Sequence, residues 1–253
     1  MQVTAPRRTA PMAAVPDTAE PQLDYYLILA RISGRRSNAE AEGIVVEEFV
    51  RDHDCATVGL NSAGWTPVDG RWWSSASFSR SMRADPELSG RVAPTCRGVA
   101  EAVYRQLGGG QLPAEAVLRT YFRDYGPFAT APPLRLGPTD APDGFHEKRV
   151  YRVLFAKDLR ADQLANLSAV WRTSVEGDLA DRGARGMPAG QLRVGGDRFA
   201  WNLRRIGREL AWCLDLTALL ANDADDTTRP VLHELISVMR QHGLIPVTTE
   251  RFA

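Results

Sequence analysis

The stretch "VLHELISVMRQHG", residues 231–243, begins like the metal-binding helix of a zinc protease. In H-E-x-x-H, two imidazoles one helical turn apart hold the ion and the glutamate activates water. Here His233 and Glu234 are in place, but the position of the second histidine is Ser237, a poor zinc ligand. His242 follows nine residues after His233, so on a straight helix the two rings point in nearly opposite directions. Leu232, Leu235, Ile236 and Met239 share one stripe of that helix, which reads as amphipathic. His242 and Gly243 form its stop, with Leu244 folding back on the last turn and Pro246 barring further helix.

The approach to this helix has partial calcium-loop spacing. Asp223 and Asp225 take positions one and three, Thr227 position five and Glu234 position twelve. Position six, which needs glycine for its sharp turn, is Thr228, and position eight is Pro230. An acidic loop between helices is the simpler reading. No metal and no cofactor is expected, with Asp223, Asp225 and Glu234 the candidate ligands for calcium.

A second chemistry is nucleophilic. "PTCRGV" places Cys96 before Arg97 and Gly98, as in the C-R-G part of a caspase signature, and His53 lies 43 residues upstream. A thiolate with a histidine base is a competent pair for hydrolysis. The context differs: Pro-Thr precedes the cysteine, and His53 stands in a charged segment. "GGG" at 108–110 follows a helical pattern instead of opening one, so it reads as a stop and not as a phosphate loop. No G-x-S-x-G occurs. With no complete catalytic set, the chain reads as a non-enzymatic binding protein, and a cysteine-dependent hydrolase using Cys96 and His53 is the alternative. A ligand- or calcium-binding regulator is a further alternative.

Aromatic residues suggest where a partner could dock. Trp65, Trp72 and Trp73 fall within nine residues of a turn-rich hairpin. Adjacent Trp72 and Trp73 must face opposite sides of a strand, so one is expected outside the core. Beside Arg71 it would make a contact of hot-spot type. Arg204, Arg205 and Arg208 form a basic cluster read as a solvated helix face.

Elements that position these residues can be read along the 253-residue chain. Residues 1–22, rich in proline and alanine and without an apolar core, read as a disordered tail and not as a signal peptide. "LDYYLILARIS" (23–33) reads as a strand. Residues 38–52 read as a helix, with Ser37 and Glu40 in capping-box spacing. "CATVGL" and "RWWSSASFS" read as strands, 95–107 as a helix, and "AEAVLRTYFRDYG" as another. Residues 126–144, rich in proline and glycine, read as a linker. After it come a strand from "KRVYRVLFAKD", a helix from residue 160 to residue 183, a hairpin from "QLRVGG" and "DRFAWN", and a long helix over 204–221. The helix just described and a last strand, "LIPVTTERF", complete the chain.

Both halves, 23–125 and 145–253, thus run strand–helix–hairpin–helix. The expected class is α+β, with two ferredoxin-like halves and helices on one face of each sheet. Formal net charge is zero, so no global field favours nucleic acid or an anionic membrane. All basic residues except Lys148 and Lys157 are arginine. Three scattered cysteines, Cys55, Cys96 and Cys213, point to a reducing cytoplasm. No apolar run is long enough for a membrane helix.

Size, "DRFAWN" (197–202) and the closing "GLIPVTTERF" (243–252) resemble the actinobacterial CASPASE/TPR repeat-associated (CATRA) proteins of conflict systems. That resemblance implies a bacterial, non-catalytic partner or regulator, with a caspase-like or TPR protein as the partner. It carries no catalytic residues, and oligomeric state stays open.

Overall fold

The computed structural model describes residues 22–31, 40–128, 140–172, 187–207, 211–222 and 227–252. Nearly all of the expected tail, Ser37, Arg208, Asp223, Asp225, much of the expected linker and the end of the 160–183 helix lie outside the described residues.

"DYYLIL" forms β1 (Asp24–Leu29), as expected. It pairs with β2 (Ala41–Arg51), and β2 with β3 (Thr57–Trp65), all antiparallel. A short β4 (Trp72–Ser74) and the two-residue β6 (Gly126–Pro127) both pair with β3, and β5 (Val92–Thr95) pairs with the free side of β1. The strand order is β4-β3-β2-β1-β5. Helices α1 (Ala76–Ala84) and α2 (Pro86–Gly90) connect β4 to β5, and α3 (Arg97–Gln106) and α4 (Glu115–Arg119) follow β5.

The helix expected over 38–52 is strand β2. Ile44, Val45 and Val46 are consecutive, β-branched and all fully buried. A strand covered on both faces buries consecutive neighbours, and β-branched side chains favour it over helix. Alternation along β1 and β2 makes two packed layers. Tyr25, Ile44 and Val46 face α3 with Ala100 and Tyr104. Tyr26, Ile28 and Val45 face the other way, against Met82 and Phe78 of α1. Helices therefore cover both faces of this sheet.

The second sheet contains β7 (Glu147–Ala156), β8 (Ala189–Val194), β9 (Asp197–Ile206), β10 (Ala211–Leu220) and β11 (Ile245–Arg251). Its order is β11-β7-β10-β9-β8, antiparallel throughout. Helix α5 (Ala161–Arg172) follows β7, and α6 (Thr228–Gln241) joins β10 to β11. Without β8 this is the βαββαβ ferredoxin-like path, the fourth strand beside the first and the second outside the third. β8 adds an edge strand.

The helix expected over 204–221 is the end of β9 and all of β10. Trp212, Leu214, Leu216, Ala218 and Leu220 alternate inward with period two and are buried. They join Tyr151, Val153 and Phe155 of β7 and Phe199, Trp201 and Leu203 of β9 on one apolar face. Helix α5 covers it with Leu167 and Trp171, and α6 with Leu232, Leu235, Ile236 and Met239. Each such fully buried side chain contributes about 1.5–3 kcal/mol. The end of α6 follows the expected stop. Gly243 has φ +89°, and the Leu244 N–H donates to the Met239 carbonyl at 3.2 Å.

Across the seam between the two sheets, Ile245 of β11 packs with Tyr26, Val45, Met82 and Val92. The Lys157 ammonium donates to the Val92 carbonyl at 2.7 Å, and the Thr249 N–H to Thr57 Oγ1 at 3.0 Å. The two sheets share this core.

Candidate functional site

Strand register places Cys96 and His53 apart. Thr95 pairs with Tyr25, and Asp24 with Glu47, so Cys96 lies near the level of Glu47 and two strands away. β2 then runs on to Arg51, roughly 13 Å further, before His53 begins. The His53 imidazole is 89% exposed and lies 3.3 Å from Asp54. Cys96 is an exposed residue at the start of α3. The fold does not bring this thiol and imidazole together.

Trp72 and Trp73 do face opposite sides of the sheet, but neither is exposed. Trp72 stacks on Tyr104 and Tyr121, with centroids 5.8 and 6.1 Å apart. Trp73 lies over Gly64 and meets Phe78 edge-on. Helices on both faces take up both indoles. The hairpin presents Val68 and Arg71 instead. Glu234 is half-buried on α6, and Asp223 and Asp225 lie outside the described residues. No cluster of three or more His, Cys, Asp or Glu side chains suited to a metal occurs among the described residues.

What the fold does assemble is a buried ionic seam. Arg83, on the last turn of α1, grips Glu47 with two hydrogen bonds of 2.9 and 2.6 Å. It also donates to the carbonyls of Ser79 and of Pro246, the latter on β11, each at 2.7 Å. Side-chain exposures are 6% for Arg83 and 0% for Glu47. One guanidinium thus ties α1, β2 and β11 together. Next to it, Arg240 of α6 pairs with Asp24 at 2.8 Å, donates to the Tyr25 carbonyl at 3.0 Å and lies over the Tyr26 ring. Burial pushes the Asp24 carboxyl up and nearby Glu47 adds to this, while Arg240 opposes it.

Against this seam lies a cleft of about 70 Å³, between the β1–β2 pair and α6. Asp24, Glu47, Glu48 and Arg51 line one side, and His233, Ser237 and Arg240 the other. The apolar stripe of α6 is spent on the second sheet, so His233, Ser237 and Arg240 are turned to the first. Desolvation at the seam lowers the pKa of His233, with Asp24 pulling the other way and Arg51 adding to the fall.

A second ionic group lies on the outer face of the second sheet. Asp215 accepts from Arg152 at 2.8 Å and from Arg204 at 2.7 Å, so three adjacent strands, β7, β10 and β9, are cross-linked. Burial alone would raise Asp215, but the hydrogen bonds from Arg152, Arg204 and Cys213 hold it below the usual carboxylate range. Arg152 lies over Phe252 and Arg198 over Phe145. The expected basic helix face is in fact strand. Arg204 points outward, while Arg205 turns to Asp158 and the Trp212 ring.

The sequence hides the seam residues because β2 carries the charge pattern of a helix. The available signal was charge inside an apolar run: Asp24 before "YYLIL" and Glu47 after "IVV". Comparison of the chain with protein-family models, with curated proteins and with solved structures finds no match.

Proposed function

We propose that this chain is a non-enzymatic interaction or regulatory component of a bacterial cytoplasm, and that its protein partner docks on the outer face of the second sheet. The observation that supports this is the composition and exposure of that face. Both helices of the unit pack on the opposite, apolar side. The outer side carries Arg152, Arg198 and Arg204 around Asp215, with Leu154 and Leu219 half-buried among them. Arginine beside aromatic and aliphatic surface is what protein interfaces enrich. The resemblance to conflict-system proteins names the class of partner to try first, a caspase-like or TPR protein encoded nearby. No helix among the described residues is long and apolar enough to cross a membrane.

The test is recovery of that partner with charge-reversed protein. Arg198→Glu with Arg204→Glu should abolish co-purification while the near-UV circular dichroism stays that of the folded parent. Undiminished recovery from the folded double variant would remove this face from the proposal.

A further inference from the structure

We infer that the cleft between the β1–β2 pair and α6 is a binding site for a carboxylate group, with Arg51 as its anchor and His233 and Ser237 as flanking donors.

The argument is a balance of charges. Each carboxylate lining the cleft already has an arginine: Asp24 has Arg240, Glu47 has Arg83 and Glu48 has Arg119. Arg51 lines the same cleft and has no ion pair or hydrogen bond to its side chain among the described residues. Its nearest ring, Phe49, is 6.0 Å away. Burial lowers the pKa of Arg51, with Asp24, whose carboxylate is hydrogen-bonded to Arg240, opposing this only from a distance and Arg229 adding to it. Neither His233 nor Ser237 spends its side chain on a hydrogen bond to another described residue, and both border the same space. The cleft therefore holds one unspent guanidinium, one imidazole and one hydroxyl.

Class of ligand follows from charge, shape and size. One surplus cation matches a monoanion. A phosphate dianion would leave a charge uncompensated beside Glu47 and Glu48. A planar carboxylate fits the guanidinium fork in two parallel hydrogen bonds. About 70 Å³ takes a carboxylate and a short stem, not a nucleotide. The carboxylate can come from a free organic acid or from the C-terminus of a peptide.

The test is a titration of the isotope-labelled full chain by two-dimensional NMR at constant ionic strength. The probes are sodium acetate, sodium phosphate, the dipeptide Ala-Ala and its C-terminal amide, against sodium chloride. Saturable shifts of Arg51, His233 and Ser237 with acetate are expected, with little response to phosphate. Arg51→Gln should weaken acetate binding at least tenfold, and Ser237→Ala about threefold, with both variants keeping the parent spectrum elsewhere. Ala-Ala binding tighter than acetate, with its amide silent, assigns the carboxylate to a peptide terminus. Acetate binding as well as Ala-Ala assigns it to a free acid. No saturable shift with acetate or Ala-Ala, or binding unchanged by Arg51→Gln, overturns the inference. If Arg51→Gln fails to fold, Ser237→Ala and the amide control carry the test.

Discussion

Arg83 and Glu47 form a two-point ion pair that water hardly reaches, and the same guanidinium holds the Pro246 carbonyl of the second sheet. Removing one partner strands a buried charge, at a cost of about 3–5 kcal/mol. Glu47→Gln should therefore lower the thermal midpoint by roughly 10 °C, given a few degrees per kcal/mol for a chain of this size. Replacing both, as Glu47→Leu with Arg83→Met, should recover most of that loss, because no charge is then left alone. Thermal unfolding of the three proteins measures this. A double variant no better than the single one would mean that Arg83 acts mainly through the Pro246 and Ser79 carbonyls.

The three cysteines should separate cleanly by reactivity. Cys96 is exposed, while Cys55 and Cys213 are buried. Burial and the neighbouring Asp215 carboxylate push the Cys213 thiol up to about 12, which leaves almost no thiolate at neutral pH. A thiol reagent at pH 7.5 should modify one cysteine in the native protein and three in denaturant, with peptide mapping placing the first on Cys96. Early labelling at Cys213 would contradict the packing of β10.

Two glycines should resist even alanine. Gly64 pairs with Trp73 across β3 and β4, and Gly190 with Trp201 across β8 and β9. A Cβ at Gly64 would come within 2.5 Å of the Trp73 ring, and one at Gly190 within 2.6 Å of Trp201. Rigid indoles cannot yield, so each alanine should cost about 1–3 kcal/mol through overpacking. Urea unfolding reports this, and a neutral Gly190→Ala would show that Trp201 can repack.

Stability should also carry an acid-side signature from Asp215. Its pKa is depressed in the folded state, so its contribution is complete above the ordinary carboxyl range and is lost as pH falls through the folded value. Asp215→Asn should cost about 1–2 kcal/mol at pH 7, after allowance for solvent around the half-exposed Arg204. The cost should begin to shrink below about pH 4, where the carboxyl of the unfolded chain is protonated, and disappear only below the lower pKa of the folded state. Urea unfolding at pH 7 and pH 3 makes the comparison. An equal cost at both values would mean that Arg152 and Arg204 do not stabilise the ionised form.

The α+β class, β1, the β8–β9 hairpin, α3, α6 and the stop at Gly243 were legible because each rests on local pattern. β2 and β10 were not. Ile44-Val45-Val46 offers no alternation because both sides are covered, and the acidic pair Glu47-Glu48 mimics a solvated helix face. In β10 the alternation from Trp212 to Leu220 was present, but the stretch also fits an apolar helix. The cleft is a meeting of β1, β2 and α6, which are joined only by tertiary packing. No periodicity in one segment could reveal that Arg51 would form no ion pair among the described residues.

The outer strands carry a further consequence. β4 has three residues, β5 contains Pro94, β6 contains Pro127, and β11 contains Pro246 at a break in register. Proline offers no N–H, and a short strand offers few groups in all, so these rims are poor templates for another chain to extend. β8 alone is longer and free of proline, and it ends in exposed Arg193 and Val194. Among the described residues, growth of the sheets by backbone pairing is disfavoured at three of four borders. At those three borders specificity rests with side chains on a face, where sequence can set it, and β8 is left as the one ribbon of peptide bonds that another chain could match.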